Sequence, residues 1–218
     1  MLKIQQIRKH YERRVNATRP GYDILDWSSA EAQTIRFNVL VRLMAQELGG
    51  TERPALLDVG CGMADLAAFL DEHGIDTEYI GTDITFKVVR EAQRRDPDRN
   101  LLLADVFSAP PFPKRAFDAV FCSGVFNLKL GNNDAFVIQA ILSMIPLCRG
   151  ILVVNMLHRR CRRKYLHCHY FDPDHIRHAI ESRGYSVEVI DDYLDNDFSV
   201  VVNLHNRGPA DDGKHSRT

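Results

Sequence analysis

Short apolar runs alternate with helical stretches after Pro54, and this alternation constrains the fold more than any other feature of the chain. Each run is nearly continuous in apolar residues, as expected of a strand that is buried on both faces. Such an alternation predicts a parallel sheet covered by helices on both sides. The predicted strands are residues 55–59, 78–81, 101–104, 119–122 and 151–154, and the predicted helices are residues 64–72, 85–95 and 134–147.

The two ends of the chain follow other patterns. Residues 2–14 and 28–48 carry apolar side chains at helical spacing, with Ser28 or Ser29 as the N-cap of the second helix and Gly49 and Gly50 at its end. Residues 187–190 and 198–202 predict a hairpin of two strands. Residues 206–218 are polar and predict a flexible tail. We therefore divide the chain into a helical region 1–50, a main domain 51–205 and a tail 206–218.

Composition narrows the class of protein. Lys and Arg number 28 against 29 Asp and Glu, and this balance disfavours a globally basic nucleic-acid binder. No apolar run approaches the roughly 18 residues of a membrane-spanning helix, and the first ten residues do not resemble a secretory signal. The odd number of cysteines, five, is typical of reduced thiols. We expect a cytoplasmic protein without a membrane segment, either a monomer or a homodimer.

A glycine turn between the first predicted strand and the next helix indicates a nucleotide site. Residues 56–65 read Leu-Leu-Asp-Val-Gly-Cys-Gly-Met-Ala-Asp. Glycines allow a ligand to approach the backbone closely, and the helix N-terminus presents free N–H groups. Asp83 follows the second strand, where an acidic side chain would meet a ribose. On spacing alone, a nicotinamide dinucleotide is one candidate ligand.

Asp65 argues against that candidate. The third glycine of the dinucleotide fingerprint would fall at position 65, so that a carboxylate would stand where a pyrophosphate binds. A cofactor with an ammonium and a sulfonium, and without phosphate, would tolerate both Asp58 and Asp65.

Over residues 54–204 the sequence resembles the class I S-adenosylmethionine-dependent methyltransferases. The resemblance implies a Rossmann-like three-layer αβα sandwich, with a seven-stranded, mostly parallel sheet whose last strand is antiparallel. It also implies S-adenosyl-L-methionine as cofactor. Ala64 departs from the third glycine of many members. Four segments carry the resemblance: Asp58-Val59-Gly60-Cys61-Gly62, Gly81-Thr82-Asp83-Ile84, Ala104-Asp105-Val106-Phe107 and Phe117-Asp118-Ala119-Val120-Phe121.

The resemblance also implies roles for individual residues. Gly60 and Gly62 would lie against the methionine part of the cofactor, and Asp83 would bind the ribose hydroxyls. Ile84 and Val106 would flank the adenine, whose amino group would donate to Asp105. Asp58 either shapes the loop through nearby amides or touches the ligand. The full set of expected cofactor-binding residues is Asp58, Gly60, Cys61, Gly62, Asp83, Ile84, Asp105, Val106, Ser123, Gln33 and Arg36.

Residues 1–50 resemble the helical lid that many small-molecule members place over the cofactor. In that role, Gln33 or Arg36 would reach the methionine carboxylate. The alternative is that Trp27 and Phe37 simply pack the helices on the sheet and Arg36 is solvated. The aromatic and polar residues that suggest a lid are His10, Tyr11, Tyr22, Asp26, Trp27, Gln33, Arg36 and Phe37.

Methyl transfer from a sulfonium is an in-line displacement, so positioning can supply much of the catalysis and a general base is optional. The base candidates are His158, His167, His169 and Tyr11. The loop at residues 123–127 lacks the Asn-Pro-Pro-Tyr signature of members that methylate exocyclic amines, so nucleic acid is an unlikely acceptor. Cys161, Cys168, His167 and His169 have zinc-ligating atoms, but they lack a C-x-x-C pair and neighbour several cations, so we expect no metal site.

Residues 158–164 contain five Lys or Arg residues directly after the fifth strand. We expect this loop to form an electropositive mouth that attracts a small-molecule acceptor bearing a carboxylate or phosphate. The sequence therefore predicts an S-adenosylmethionine-dependent methyltransferase that methylates an oxygen or nitrogen of a small molecule. Two alternatives remain: an RNA methyltransferase that uses the basic loop, and a catalytically silent module that binds the cofactor.

Overall fold

The computed structural model describes residues 2–25, 27 and 29–205, which form a seven-stranded sheet flanked by helices. The strands are β1 (Ala55–Val59), β2 (Glu78–Asp83), β3 (Leu101–Leu103), β4 (Phe117–Ser123), β5 (Cys148–Leu157), β6 (Val187–Ile190) and β7 (Asp197–Asn203). The helices are α1 (Leu2–Glu12), α2 (Gly21–Ile24), α3 (Ala30–Glu47), α4 (Asp65–Glu72), α5 (Phe86–Arg95), α6 (Asn133–Met144) and α7 (Pro173–Glu181), with a 3₁₀ turn at Ile145–Leu147.

The strand order in the sheet is β3-β2-β1-β4-β5-β7-β6. Strands β1 to β5 run parallel, whereas β7 is antiparallel to both β5 and β6. The predicted Rossmann-like sandwich, with an antiparallel last strand, is confirmed. The strand order reverses between β1 and β4, and in open α/β sheets ligands bind outside the carboxyl ends of the strands at such a point.

The sheet buries both faces because successive residues of a strand point to opposite layers. In β1, Leu57 packs in the core beneath α6 and α7, and its neighbour Leu56 packs in the core beneath α3 and α4. Both side chains are fully buried. In the central strands, burial on both faces therefore explains the continuous apolar runs of the sequence.

At the sheet edge this expectation is wrong. In β3, Leu102 and Leu103 are 43% and 47% exposed, because β3 pairs only with β2 and its outer side has no neighbouring strand.

Helix α7 was not predicted. The sequence analysis places no helix between residues 170 and 187, where the structure has α7. Asp172 caps α7 by accepting from the Asp174 backbone N–H, and Pro173 is its first residue. Both are ordinary helix-start signals.

Helix α3 of the N-terminal region packs directly on the sheet of the main domain. Ser29 is the N-cap of α3, because its side chain accepts from the Ala32 backbone N–H. The buried side of α3 packs against the central strands through Phe37, Leu40 and Leu43. Helix α3 thus belongs, with α4, to one helical layer of the sandwich, and a lid role for residues 1–50 stays a proposal. Asp26, Ser28 and the predicted tail 206–218 lie outside the described residues.

All five cysteines are free thiols, and Cys61, Cys122 and Cys148 are buried. Among the residues that the structure describes, no helix has the length and apolar character needed to cross a membrane.

Candidate functional site

A cavity opens at the carboxyl ends of β1, β2 and β4, at the point where the strand order reverses. The turn after β1 forms one wall, and residues from α1 and the segment after α2 form the opposite wall. We call it the first cavity. Nine of the eleven expected cofactor-binding residues line this cavity. Gly62 does not line it, but its backbone N–H donates to the lining side chain of Asp83. Arg36 is absent from the lining.

The turn after β1 depends on two glycines. Gly60 and Gly62 have φ angles of +74° and +58°, in the left-handed region that favours glycine. A Cβ atom at Gly60 would overlap the Val125 side chain, and one at Gly62 would lie 2.5 Å from Leu25 Cδ1. The Gly60 and Cys61 backbone N–H groups both donate to the carbonyl of Thr82, at 2.7 and 2.9 Å. The turn is therefore tight and tied to the end of β2.

Asp83, the last residue of β2, is held in a single orientation. Its Oδ2 accepts from the Gly62 backbone N–H at 3.2 Å, and its Oδ1 accepts from the Thr85 backbone N–H at 2.7 Å. Burial raises the pKa of this carboxyl, while those amide bonds oppose the rise. Each carboxylate oxygen has further acceptor capacity. The group can therefore accept two hydroxyls of a diol such as ribose.

Asp58 lines the first cavity, and its contact with a ligand stays a prediction. Its Oδ2 accepts from the Tyr79 hydroxyl at 2.8 Å. Burial raises its pKa to about 7, and the nearby negative charges of Asp83 and Asp65 contribute to the increase. No Lys or Arg is among the described residues that line this cavity. The electrostatics therefore favour a positively charged ligand.

The residues after β3 and β4 complete the first cavity. Asp105 Oδ1 accepts from the backbone N–H groups of Phe107 and Ser108, at 3.1 and 3.2 Å. Ile84 and Val106 add apolar side chains to the lining. The Ser123 hydroxyl, at the end of β4, donates to Asn155 Oδ1 at 3.1 Å. An apolar slot with a carboxylate near its end fits an adenine ring that donates through its amino group.

The N-terminal region contacts the start of α4, directly after the turn that follows β1. Gln33 lines the first cavity, and its Nε2 donates to Asp65 Oδ2 at 3.0 Å. A Cβ atom at Gly21 of α2 would overlap the Asp65 carboxylate, so the two chain segments are in close contact. Burial raises the pKa of Asp65, opposed by the hydrogen bond from Gln33. Asp65 thus anchors the N-terminal helices.

Arg36 lies elsewhere. Its guanidinium forms a buried ion pair with Asp197, at the start of β7, and its Cζ lies 4.4 Å from the ring centroid of Trp27. Arg36 does not line the first cavity, so the structure does not bring it to the cofactor as the sequence analysis expects.

A second cavity of about 260 Å³ adjoins the first. The two share the side chains of Tyr11, Leu25 and Trp27 and the backbone of Gly124. The ring of Trp27 rests on Gly124 so closely that a Cβ there would lie 2.6 Å from Trp27 Cη2. The rest of this second cavity is formed by the loop after β4, by residues 157–170 at and after the end of β5, and by Arg36 and Asn196.

Two base candidates lie outside both cavities. His158 Nδ1 accepts from the Arg160 backbone N–H at 2.9 Å, and burial lowers the pKa of this imidazole. His169 Nε2 lies 3.1 Å from Asp134 Oδ1. Neither histidine is among the lining residues of the two cavities. Both side chains serve local structure in this conformation.

The other two candidates are well placed. Tyr11 lines both cavities, and His167 lines the second. The structure therefore favours Tyr11, which stands where the two spaces meet. The sequence analysis missed Asn127, Tyr165 and Tyr170, which also line the second cavity. Their position in loops that follow the carboxyl ends of β4 and β5 was the available signal.

The basic loop is less uniformly positive than its composition suggests. Arg159 pairs with Asp172, and Arg160 pairs with Asp191 at 2.6 Å. The expectation of five cations at the mouth is therefore wrong for these two, since their charges are compensated locally. Of the five basic residues of the loop, Arg163 lines the second cavity. Within the described part of the chain, no group of three or more His, Cys, Asp or Glu residues is arranged to hold a metal ion.

Comparisons with known proteins agree with this geometry. Residues 57–141 match the family model described as a methyltransferase domain. Rv1506c of Mycobacterium tuberculosis, whose name assigns it to the methyltransferases, is 36% identical over 77 residues, which are 35% of this chain and 45% of that protein. The tRNA (guanine-N(7)-)-methyltransferase of Rubrobacter xylanophilus is 36% identical over 59 residues, 27% of this chain and 26% of that enzyme. The chain thus matches less than half the length of these curated relatives.

A solved structure matches over a longer range. Magnesium protoporphyrin IX methyltransferase from Synechocystis PCC 6803, crystallised with bound SAH, aligns with a TM-score of 0.65 at 15% identity. The alignment covers 92% of this chain and 98% of that one. Identity this low shows a common fold, and the family model adds the methyltransferase motifs. The chain therefore carries a methyltransferase domain built on the class I fold of the S-adenosylmethionine-dependent methyltransferases.

Proposed function

We propose that this chain transfers the methyl group of S-adenosylmethionine to an oxygen or nitrogen of a small molecule held in the second cavity. The observation that carries the proposal is the pair of adjoining cavities. The first is lined by Asp58, Asp83 and Asp105 without a described Lys or Arg, and the second meets it at Tyr11 and Trp27. When bound, S-adenosylmethionine supplies an electrophilic methyl on a sulfonium.

The residues of the first cavity would hold the cofactor by complementary chemistry. Asp83 would accept from the ribose hydroxyls, and Asp105 would accept from the adenine amino group. The carboxylate of Asp58 would favour the positive charges of the cofactor. The backbone around Gly60 and Gly62 would lie against the methionine part. The orientation of the Asp83 carboxylate and the absence of described cations in the lining support these roles.

On the acceptor side, Tyr11 is the residue best placed to orient the nucleophile, because it lines both cavities. Its hydroxyl would accept a hydrogen bond from the nucleophile of the acceptor where the two spaces meet, and the proton that the acceptor loses on methylation would leave to water. Arg163 favours an acceptor with a negative charge. The five free thiols favour a reducing compartment such as the cytoplasm.

The test is the affinity for S-adenosylhomocysteine by calorimetric titration. Replacing Asp83 by Ala removes two hydrogen bonds to a charged acceptor, each worth about 1.5–3 kcal/mol, so affinity should fall by about a hundredfold or more. Asp76→Ala is the matched control, since Asp76 is an exposed carboxylate that pairs with Arg53 away from the cavity. Asp83→Asn, which keeps one acceptor oxygen, should have an intermediate effect.

Unchanged affinity in Asp83→Ala, with the fold verified by circular dichroism, would refute the cofactor assignment. Tight binding of NAD by the unaltered protein would refute it as well. Retention of tRNA by the unaltered protein, lost when Arg162 and Arg163 are both replaced by Gln, would instead favour the RNA methyltransferase alternative.

A further inference from the structure

Three aromatic rings of the second cavity each have a protein cation near one face. The rings belong to Trp27, Tyr165 and Tyr170, which all line the cavity. The paired distances to the ring centroids are 4.4 Å for Arg36 Cζ and Trp27, 5.8 Å for Arg163 Cζ and Tyr165, and 5.4 Å for Lys164 Nζ and Tyr170. All three lie within the roughly 6 Å over which a cation is attracted to a ring face.

This arrangement bears on which charge the cavity accepts. Aromatic cages that bind quaternary or methylated ammonium groups leave their ring faces to the ligand cation. Here each ring already has a cation of the protein beside it, and no Asp or Glu is among the described residues that line the second cavity. Arg36 is compensated by Asp197, but a cationic acceptor would meet the like charges of Arg163 and Lys164 without a lining carboxylate to offset them.

Arg163 gives the cavity its uncompensated positive charge. The other lining arginine, Arg36, is neutralised by Asp197 in a buried ion pair. No carboxylate of the described residues pairs with Arg163, whose guanidinium lies over Tyr165, a ring that is half exposed. An anion entering beside Tyr165 would thus find a cation that has no competing partner in the described part of the chain.

We infer that the acceptor is a flat aromatic molecule that carries a carboxylate or phosphate, with Arg163 as the residue that selects the charge. The inference rests on the proposed function and narrows its substrate class. The acceptor ring packs among Trp27, Tyr165 and Tyr170, its anionic group faces Arg163, and its nucleophilic oxygen or nitrogen points toward Tyr11 and the first cavity. The two cavities thus have opposite preferences, a cation in the first and an anion in the second.

Trp27 fluorescence can report ligand binding in the second cavity, because Trp27 is the one tryptophan of the chain and lines that cavity. The protein is first saturated with S-adenosylhomocysteine and then titrated with benzoate, phenyl phosphate, benzamide and benzylamine while Trp27 emission is followed. We expect benzoate or phenyl phosphate to bind at least tenfold more tightly than benzamide, and benzylamine to bind most weakly. The anion affinity should fall with added salt, because an exposed charge interaction is screened.

Arg163→Gln tests the assigned residue, and Arg162→Gln is the matched control. Arg162 precedes it in the same loop but does not line the cavity. We expect Arg163→Gln to lower the anion affinity about tenfold and to remove most of its salt dependence, with benzamide binding unchanged. Arg162→Gln should leave all four affinities within a factor of about two.

Three outcomes would overturn the inference: benzylamine binding as tightly as the anions, equal losses in the two variants, or no saturable response to either anion. Each is distinct from a failure of the proposed function, because the same samples report their affinity for S-adenosylhomocysteine by calorimetry. Normal cofactor binding without a preference for anions would remove only the acceptor assignment. A preference between benzoate and phenyl phosphate would identify which anionic group the acceptor carries.

Discussion

Removing the charge of Arg36 should destabilise the protein far more than removing an exposed arginine. Arg36 of α3 and Asp197 of β7 form an ion pair whose side chains are 3% and 1% exposed. Burial lowers the pKa of Arg36 and raises that of Asp197, and each partner's charge opposes the shift of the other. Desolvation thus acts against both charged forms, so each charge depends on its partner.

The magnitude follows from what a single substitution leaves behind. In Arg36→Met the Asp197 carboxylate remains buried without its counter-charge, which typically costs about 3–5 kcal/mol. That is a large share of the roughly 5–15 kcal/mol by which a domain is stable. Replacing both residues, as Arg36→Met with Asp197→Leu, removes both desolvation costs and should be close to neutral or even stabilising.

The assay is urea denaturation followed by far-UV circular dichroism and by Trp27 emission. Trp27 stacks on the Arg36 guanidinium, so its emission reports local rearrangement as well as unfolding. With a urea slope of about 2–3 kcal/mol/M, each single variant should lower the midpoint by about 1–2.5 M. Arg53→Met is the control, because Arg53 pairs with Asp76 on the surface and such pairs contribute about 0–1 kcal/mol.

The reasoning is refuted if Arg36→Met costs less than about 1 kcal/mol, since that would mean the pair is not desolvated as the structure indicates. It is also refuted if the double variant loses the sum of the two single losses, because coupled charges cannot be additive.

Two further predictions concern the turn after β1. Burial raises the pKa of Asp58 to about 7, above its unfolded value of roughly 3.9, so its contribution to stability is present at low pH and is lost as the pH rises through 7. Asp58→Asn should remove that loss, which thermal denaturation between pH 5 and 8 will measure; parallel profiles for both proteins would contradict it. Gly62→Ala should cost about 1–2 kcal/mol for the left-handed backbone, with an added cost for displacing Leu25, and should weaken S-adenosylhomocysteine binding. Gly74→Ala has the same backbone strain at φ +64° but open space around its Cβ, so it should leave binding unchanged, and equal binding losses in both variants would contradict this account.

Much of the cofactor cavity could be predicted from the sequence because its determinants are local. A left-handed backbone at Gly60 and Gly62 favours glycine, and that preference is visible in the chain itself, although Ala64 of the same turn also has a positive φ, +61°. Asp83 and Asp105 could be placed together because each follows a strand, and parallel strands bring their carboxyl ends to one edge of the sheet. The residues after the strands therefore converge whatever the details of packing.

The acceptor side was decided by contacts between distant parts of the chain. His158 and Tyr11 were equal candidates in the sequence, but only the packing of the N-terminal region against the loop after β4 puts Tyr11 where the cavities meet. Arg160 looked like part of a basic surface until its partner, Asp191, was brought beside it across the end of the sheet.

The same distinction explains the remaining differences. The sequence by itself determined the order of the strands and of the helices other than α2 and α7, because the spacing of apolar residues reports which faces a segment must bury. It did not determine that β3 would be an edge strand with exposed leucines, or that Arg36 would pair with Asp197 instead of facing the cofactor. Those outcomes depend on the order of the strands in the sheet and on which charged side chains come into contact when the helices pack on it. A charge compensated by a residue far along the chain has no signature in its own neighbourhood, so only the tertiary structure could assign it.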